Sequence, residues 1–178
     1  AIVARALRFG ELVDLSLHDD GGQACLESTR DGGVTLTQLE AGLAALVAGR
    51  IAEEIELGDS SIGAGSGPSS DLAMATGIAR DIELRFGFGL FGNIYLEAVG
   101  TEAVMIAGLL PAIVERLRRA SERARGILME HRSALQTVGR LLEEAGYLTR
   151  GEIDQVLEKK MRTDAMLVVP AASGGEVS

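Results

Sequence analysis

The stretch Thr37-Gln38-Leu39-Glu40-Ala41-Gly42-Leu43-Ala44-Ala45-Leu46-Val47-Ala48-Gly49-Arg50-Ile51-Ala52-Glu53-Glu54-Ile55 decides the fold class. Thr37 to Glu40 reads as a capping box, in which the hydroxyl accepts from an orphan amide and the carboxylate reaches back. Leu39, Leu43, Leu46, Val47, Ile51 and Ile55 then recur at steps of three and four, the spacing of one helix face. Ala41, Gly42, Ala44, Ala45, Ala48, Gly49 and Ala52 fill much of the rest. Small residues on several sides let other helices approach closely, so the spacing predicts a central, doubly packed helix over 37–57. Gly42 and Gly49 each cost about 1 kcal/mol of helix propensity against Ala, a loss that close packing has to offset.

Toward the C-terminus, residues 58–70 form a Gly/Ser loop, unusually long for a connection without structure of its own. Leu72, Ala75, Ala79, Ile82 and Phe86 predict a helix over 71–87, and glycine punctuates residues 87–100 irregularly. A long helical region covers 102–145, with Pro111 starting or kinking its main segment. The arginines from Arg116 to Arg125 alternate with Glu115 and Glu122 at helical spacing, which reads as an ion-paired, solvated face. Thr149-Arg150-Gly151-Glu152 is a second capping box and opens a final helix over 150–162. Residues 164–178 lose periodicity and read as a disordered tail. Toward the N-terminus, residues 1–9 read as the end of an amphipathic helix stopped by Gly10. Val13, Leu15 and Leu17 alternate in strand fashion, and Asp19-Asp20-Gly21-Gly22 turns the chain back, so 12–28 is expected to form a β element. The fold class expected is therefore mainly α, with a small β-hairpin or sheet near the N-terminus.

Composition narrows the function. The net charge of −9 leaves no basic stripe for phosphates, so nucleic acid is not an expected partner. Aromatics are 3% with no Trp, which leaves an aliphatic core and little to stack on bases or sugars. Cys25 is alone and cannot form an intramolecular disulfide; it reads as a small buried hydrophobe in a reducing compartment. No apolar run is long enough to span a bilayer, and Arg5 interrupts the first residues, so neither an anchor nor a signal peptide is read here.

Taken residue by residue, the chain holds no complete active site. His18 and His131 are its only histidines, too few for the usual zinc constellations, and both read as solvated surface residues. The Gly-rich loop lacks the Gly-Lys-Ser/Thr ending of a phosphate-binding loop. Ser69, Ser70 and Asp71 by themselves would cap the next helix and suit its dipole.

Two segments carry more. Ala48-Gly49-Arg50-Ile51-Ala52-Glu53-Glu54-Ile55, and Gly63-Ala64-Gly65-Ser66-Gly67-Pro68-Ser69-Ser70-Asp71-Leu72-Ala73-Met74-Ala75-Thr76, resemble the peptidase half of FtsH-type proteins. These are ATP-dependent AAA+ zinc metalloproteases. Ala1 to Leu7 is similar to the small and apolar residues on the C-terminal side of the family's His-Glu-Ala-Gly-His motif, and residues from Ile127 to Ile153 resemble its closing helices. The chain departs at Val47-Ala48-Gly49-Arg50, which lacks an aromatic and a second glycine, at Pro68-Ser69-Ser70-Asp71, and over Ile82 to Gly89.

The resemblance implies that residues 1–163 are a peptidase domain beginning just after the zinc-binding motif, with residues 1–9 the end of that motif's helix. It implies His-Glu-x-x-His upstream of Ala1, with no catalytic residue in this chain, and Asp71 as the third zinc ligand. Two His at i and i+4 share a helix face, and a carboxylate from a later helix completes three protein ligands with one position open for water. Adjacent Glu53 and Glu54 point about 100° apart on a helix, so they cannot face one metal together; Arg50, Glu53 and Glu54 are expected to support the site structurally, Arg50 and Glu54 as an i, i+4 ion pair. The resemblance further implies zinc in the parent protein, ATP and Mg on an upstream ATPase, unfolded or membrane-extracted polypeptides as substrates, and a homo-oligomer, hexameric in the parent. It places the parent on the cytoplasmic side, with membrane contact only through upstream segments. These 178 residues alone are expected to be inactive. The alternative is a non-catalytic, peptidase-like assembly or scaffolding domain.

Overall fold

The computed structural model describes residues 1–18, 21–27, 33–96 and 108–167. Its elements in chain order are α1 (Ile2–Ala6), β1 (Glu11–His18), β2 (Gly21–Glu27), α2 (Leu36–Leu57), α3 (Asp71–Leu84), α4 (Leu110–Glu130), α5 (Arg132–Ala145), β3 (Tyr147–Thr149) and α6 (Arg150–Leu167). A single 3₁₀ turn, Gly63–Gly65, lies between α2 and α3. The domain is mainly helical with one small antiparallel sheet of order β2-β1-β3, as the periodicities predict.

Helix α2 is the axis, packed against α3 on one side and along α4 on another, with α1 at its base. Leu43, Ala44, Val47 and Ile51 are buried, so the stripe read from the sequence is the one that packs. Burying a Leu or Ile contributes about 1.5–3 kcal/mol, and buried aliphatics from every described helix join this one core. Gly42 has a reason to be glycine: a Cβ there would meet the Phe9 ring at 2.9 Å. Gly49 does not, since a Cβ there would find open space, and the expectation of close packing fails at that position.

The cap of α2 lies one half-turn earlier than Thr37. Thr35 is the N-cap; its hydroxyl accepts from the Gln38 amide, and Gln38 Oε1 accepts from the Thr35 amide at 2.8 Å. Gln serves as well as Glu in this motif, so the helix starts about half a turn earlier. Thr149 and Glu152 form the second capping box as expected, with Glu152 Oε2 accepting from the Thr149 amide at 2.9 Å and its hydroxyl at 2.6 Å.

In the sheet, Leu15 pairs with Ala24 on one side and Leu148 on the other, and Leu15 and Leu148 are both buried. A bulge between Leu12 and Asp14 breaks the alternation, which leaves Val13 exposed. Strand β3 is only three residues long, too short to show a period. Cys25 stands opposite Asp14 and His18 opposite Gly21; the readings of their side chains lie outside the described residues.

Several boundaries differ from the periodicity. Helix α3 ends at Leu84, because the Arg85 and Phe86 amides both turn back to the Asp81 carbonyl and Gly87 takes φ +70°. Phe86 is thus exposed and not part of the stripe. The region 102–145 is two helices within the described residues: Pro111 stands in the first turn of α4, and His131, at φ −110° and ψ 35°, separates α4 from α5. Residues 102–107 lie outside the description. Helix α6 continues to Leu167, into the segment read as a tail; residues 168–178 lie outside the description.

Candidate metal centre

The Gly/Ser loop delivers the chain to α3 through Ser70, whose hydroxyl accepts from the Ala73 amide at 3.3 Å. Asp71 is therefore the first helical residue, where free amides and the helix dipole favour an anion. Its side chain is exposed, and among the described residues no hydrogen bond or ion pair engages its carboxylate. Nearby protein bulk nevertheless desolvates the Asp71 carboxyl and pushes it above its ordinary pKa.

The other candidates lie elsewhere on α2 and are committed. Glu54 pairs with Arg50 at 3.4 Å and with Arg125 of α4, so it ties α2 to its neighbour. Glu53 accepts from the Ser61 amide at 2.7 Å and its hydroxyl at 3.1 Å, which fastens the start of the Gly/Ser loop onto α2. Glu56 accepts from Arg132 at 2.8 Å and Gln136 at 3.0 Å; the Gln136 bond first, then Arg132, hold its carboxyl below the usual range. Arg50, Glu53 and Glu54 are thus engaged in contacts within the chain. None of them bonds to Asp71. Among the described residues no group of three His, Cys, Asp or Glu side chains could hold a metal.

Two buried polar residues escape sequence reading. Glu83 is 3% exposed and pairs with Arg116 of α4, while its Oε2 accepts from the Leu90 amide at 3.0 Å. Arg116 also donates to the Phe88 carbonyl at 3.0 Å and lies 3.5 Å from Glu40. A signal for this existed: Ala75, Ala79 and Glu83 are spaced by four, which puts Glu83 on the buried face of α3. His131, read as solvated, is 8% exposed, and its Nδ1 has no partner among the described residues. The break between α4 and α5 turns it inward.

No family model matches the chain. Curated relatives do. It is 32% identical over 162 residues to ATP-dependent zinc metalloprotease FtsH 1 of Symbiobacterium thermophilum, a match covering 89% of this chain and 25% of the relative. It is 33% identical over 143 residues to ATP-dependent zinc metalloprotease FtsH of Chlorobium luteolum, covering 71% and 19%. It is 31% identical over 136 residues to ATP-dependent zinc metalloprotease FTSH 11, chloroplastic/mitochondrial, of Arabidopsis thaliana, covering 76% and 16%. The chain thus spans a quarter or less of the length of these relatives. With these similarities and its helical fold, the chain belongs to the family of FtsH-type ATP-dependent zinc metalloproteases.

Proposed function

We propose that this chain is the peptidase portion of an ATP-dependent zinc metalloprotease and that Asp71 is the carboxylate ligand of its zinc. The observation that carries the reading is the exposed, unpartnered and partly dehydrated Asp71 carboxylate at the start of α3. Two histidines and a general-base glutamate on a His-Glu-x-x-His helix complete the site. When bound, zinc supplies an acidified water for attack on a peptide carbonyl. Within this chain, Ser70 fixes the turn that presents Asp71, Glu53 anchors the loop leading to it, and the Arg50–Glu54–Arg125 pairs hold α2 against α4.

Domain bounds of 1–163, unfolded polypeptide substrates, an ATPase acting with Mg, a hexameric assembly and a cytoplasmic face belong to the same proposal; the relatives' names support its protease and ATP-dependent parts. Among the described residues no helix is long and apolar enough to cross a membrane, so membrane contact would come from other segments. The 178 residues alone do not cleave, because they contain no His-Glu-x-x-His. The test joins this chain to such a helix in its native order and measures cleavage of an unfolded protein without ATP. Cleavage that disappears with a zinc chelator and with Asp71→Ala supports the reading. Cleavage undiminished in Asp71→Ala removes Asp71 from the site.

A further inference from the structure

Between α2, α4 and the segment after α3 lies a cavity of about 380 Å³. That volume is within the range of small-molecule sites, about 300–1,000 Å³. Its inner wall is apolar: Leu43 of α2 is buried, as is Ala120 of α4, with the half-buried Ala112 beside them. Leu90 lines the cavity too, yet is 74% exposed. Its backbone is fixed, because its amide donates to the Glu83 carboxylate at 3.0 Å. Gly89 lies so close to α3 that an added Cβ would sit 2.5 Å from the Glu83 Cα. A large apolar side chain is thus held at the mouth with its surface uncovered, where an apolar ligand would cover it.

Charge is unevenly placed along this cavity. Helix α4 contributes Arg116, Arg119 and Arg123, at steps of three and four along one face. At one end, the carboxylates of Glu40 and Glu83 both meet Arg116. Glu115 accepts from Arg119 Nε at 2.7 Å and also from Arg118. Arg123 has no hydrogen bond or ion pair among the described residues. It is seven residues beyond Arg116, roughly 10 Å along the helix, which sets it apart from the end where Glu40 and Glu83 meet Arg116. Arg119 stands one turn before it and keeps guanidinium donors beyond its single Nε bond.

We propose that this cavity binds a small amphipathic carboxylate, with its head on Arg119 and Arg123 and its alkyl chain against Leu43, Ala112, Ala120 and Leu90. A guanidinium fork matches the two oxygens of a carboxylate, and the bond is charge-assisted. The chain would run toward the Glu83–Arg116 pair, whose charges already neutralise each other. At about 30 Å³ for each water-sized atom, the cavity holds on the order of twelve heavy atoms, enough for octanoate. A carboxylate without an alkyl chain would leave the apolar wall and Leu90 uncovered, and an uncharged chain would leave Arg123 without a counterion.

The inference does not depend on the zinc reading, and its test reads binding alone. Titration of the isotopically labelled 178-residue chain with octanoate is expected to give saturable shifts in the amide signals of Ala112, Ala120 and Arg123. Octanol, with the same chain and no charge, is expected to bind about tenfold or more weakly. Arg123→Gln, at an exposed position, should weaken octanoate by a similar factor, about tenfold, and leave octanol unchanged, with unaltered helical circular dichroism. Ala112→Leu, which fills part of the cavity, should weaken both ligands. Equal octanoate affinity in the parent and Arg123→Gln would overturn the proposal. So would an absence of saturable shifts at the cavity residues, or shifts confined to another surface.

Discussion

Removing the Glu83 carboxylate should be among the most damaging single changes available in this domain. Glu83 is 3% exposed and Arg116 18%, so Glu83→Ala leaves a guanidinium largely out of water and without its main counterion. It also leaves the Leu90 amide without its acceptor. Breaking a buried pair from one side costs about 3–5 kcal/mol. The lower end applies here, because Arg116 keeps some solvent, the Phe88 carbonyl and Glu40 at 3.5 Å. A loss of about 3 kcal/mol lowers the melting temperature by roughly 6–12 °C in a chain of this size. Urea unfolding followed by circular dichroism measures it. Arg116→Met alone should also destabilise, while Glu83→Leu with Arg116→Met should recover much of the loss, since both charges leave together. A Glu83→Ala variant within about 0.5 kcal/mol of the parent, or strict additivity of the two changes, would refute the reasoning.

Gly89→Ala should destabilise by about 1–3 kcal/mol in the same assay, because the Cβ meets Glu83 backbone, which cannot swing aside; an unchanged midpoint contradicts this packing. Glu115, held down to about 2 by hydrogen bonds from Arg118 and Arg119, and Glu152, lowered by its bonds from Thr149, bind protons more weakly when folded. Both contributions are present above the ordinary value of 4.5 and fade as pH falls below it, that of Glu115 toward about 2, so Glu115→Gln should flatten the acid loss of stability, and an identical acid profile argues against its pairs. Asp71 has the opposite sign: its carboxyl is raised, so its charged form is a burden to the folded chain once pH rises above its ordinary 3.8. Asp71→Asn should therefore leave metal-free stability at neutral pH unchanged or improved, as expected of a residue kept for ligation; a clear loss would mark it as a structural cap.

Much of this fold was legible because its signals are local. The apolar stripe of α2, the Thr149–Glu152 box and the pairing of β1 with β2 each follow from a few neighbouring residues. The capping box moved from Thr37 to Thr35 because two overlapping Thr-x-x-Gln/Glu patterns compete and only packing selects one. What stayed hidden depends on distant partners. Glu83 and Arg116 are 33 residues apart, and nothing near either announces the other. Phe86 continues the α3 period but is exposed, because the chain leaves the helix to let Leu90 reach Glu83. At the candidate site, only the family resemblance singled out Asp71, which by its own residues read as a helix cap; the structure adds that the carboxylate is exposed and uncommitted, whereas Glu53 and Glu54 are engaged.

The central claim is that Asp71 ligates zinc, and the most direct measurement is zinc stoichiometry. The chain is joined in native order to the His-Glu-x-x-His helix, dialysed against zinc and assayed for bound metal, beside an Asp71→Asn variant of matched stability. One zinc per chain in the parent, bound at least about tenfold more weakly in the variant, is the predicted result. Equal zinc affinity in parent and variant would contradict it and leave Asp71 a helix-start residue.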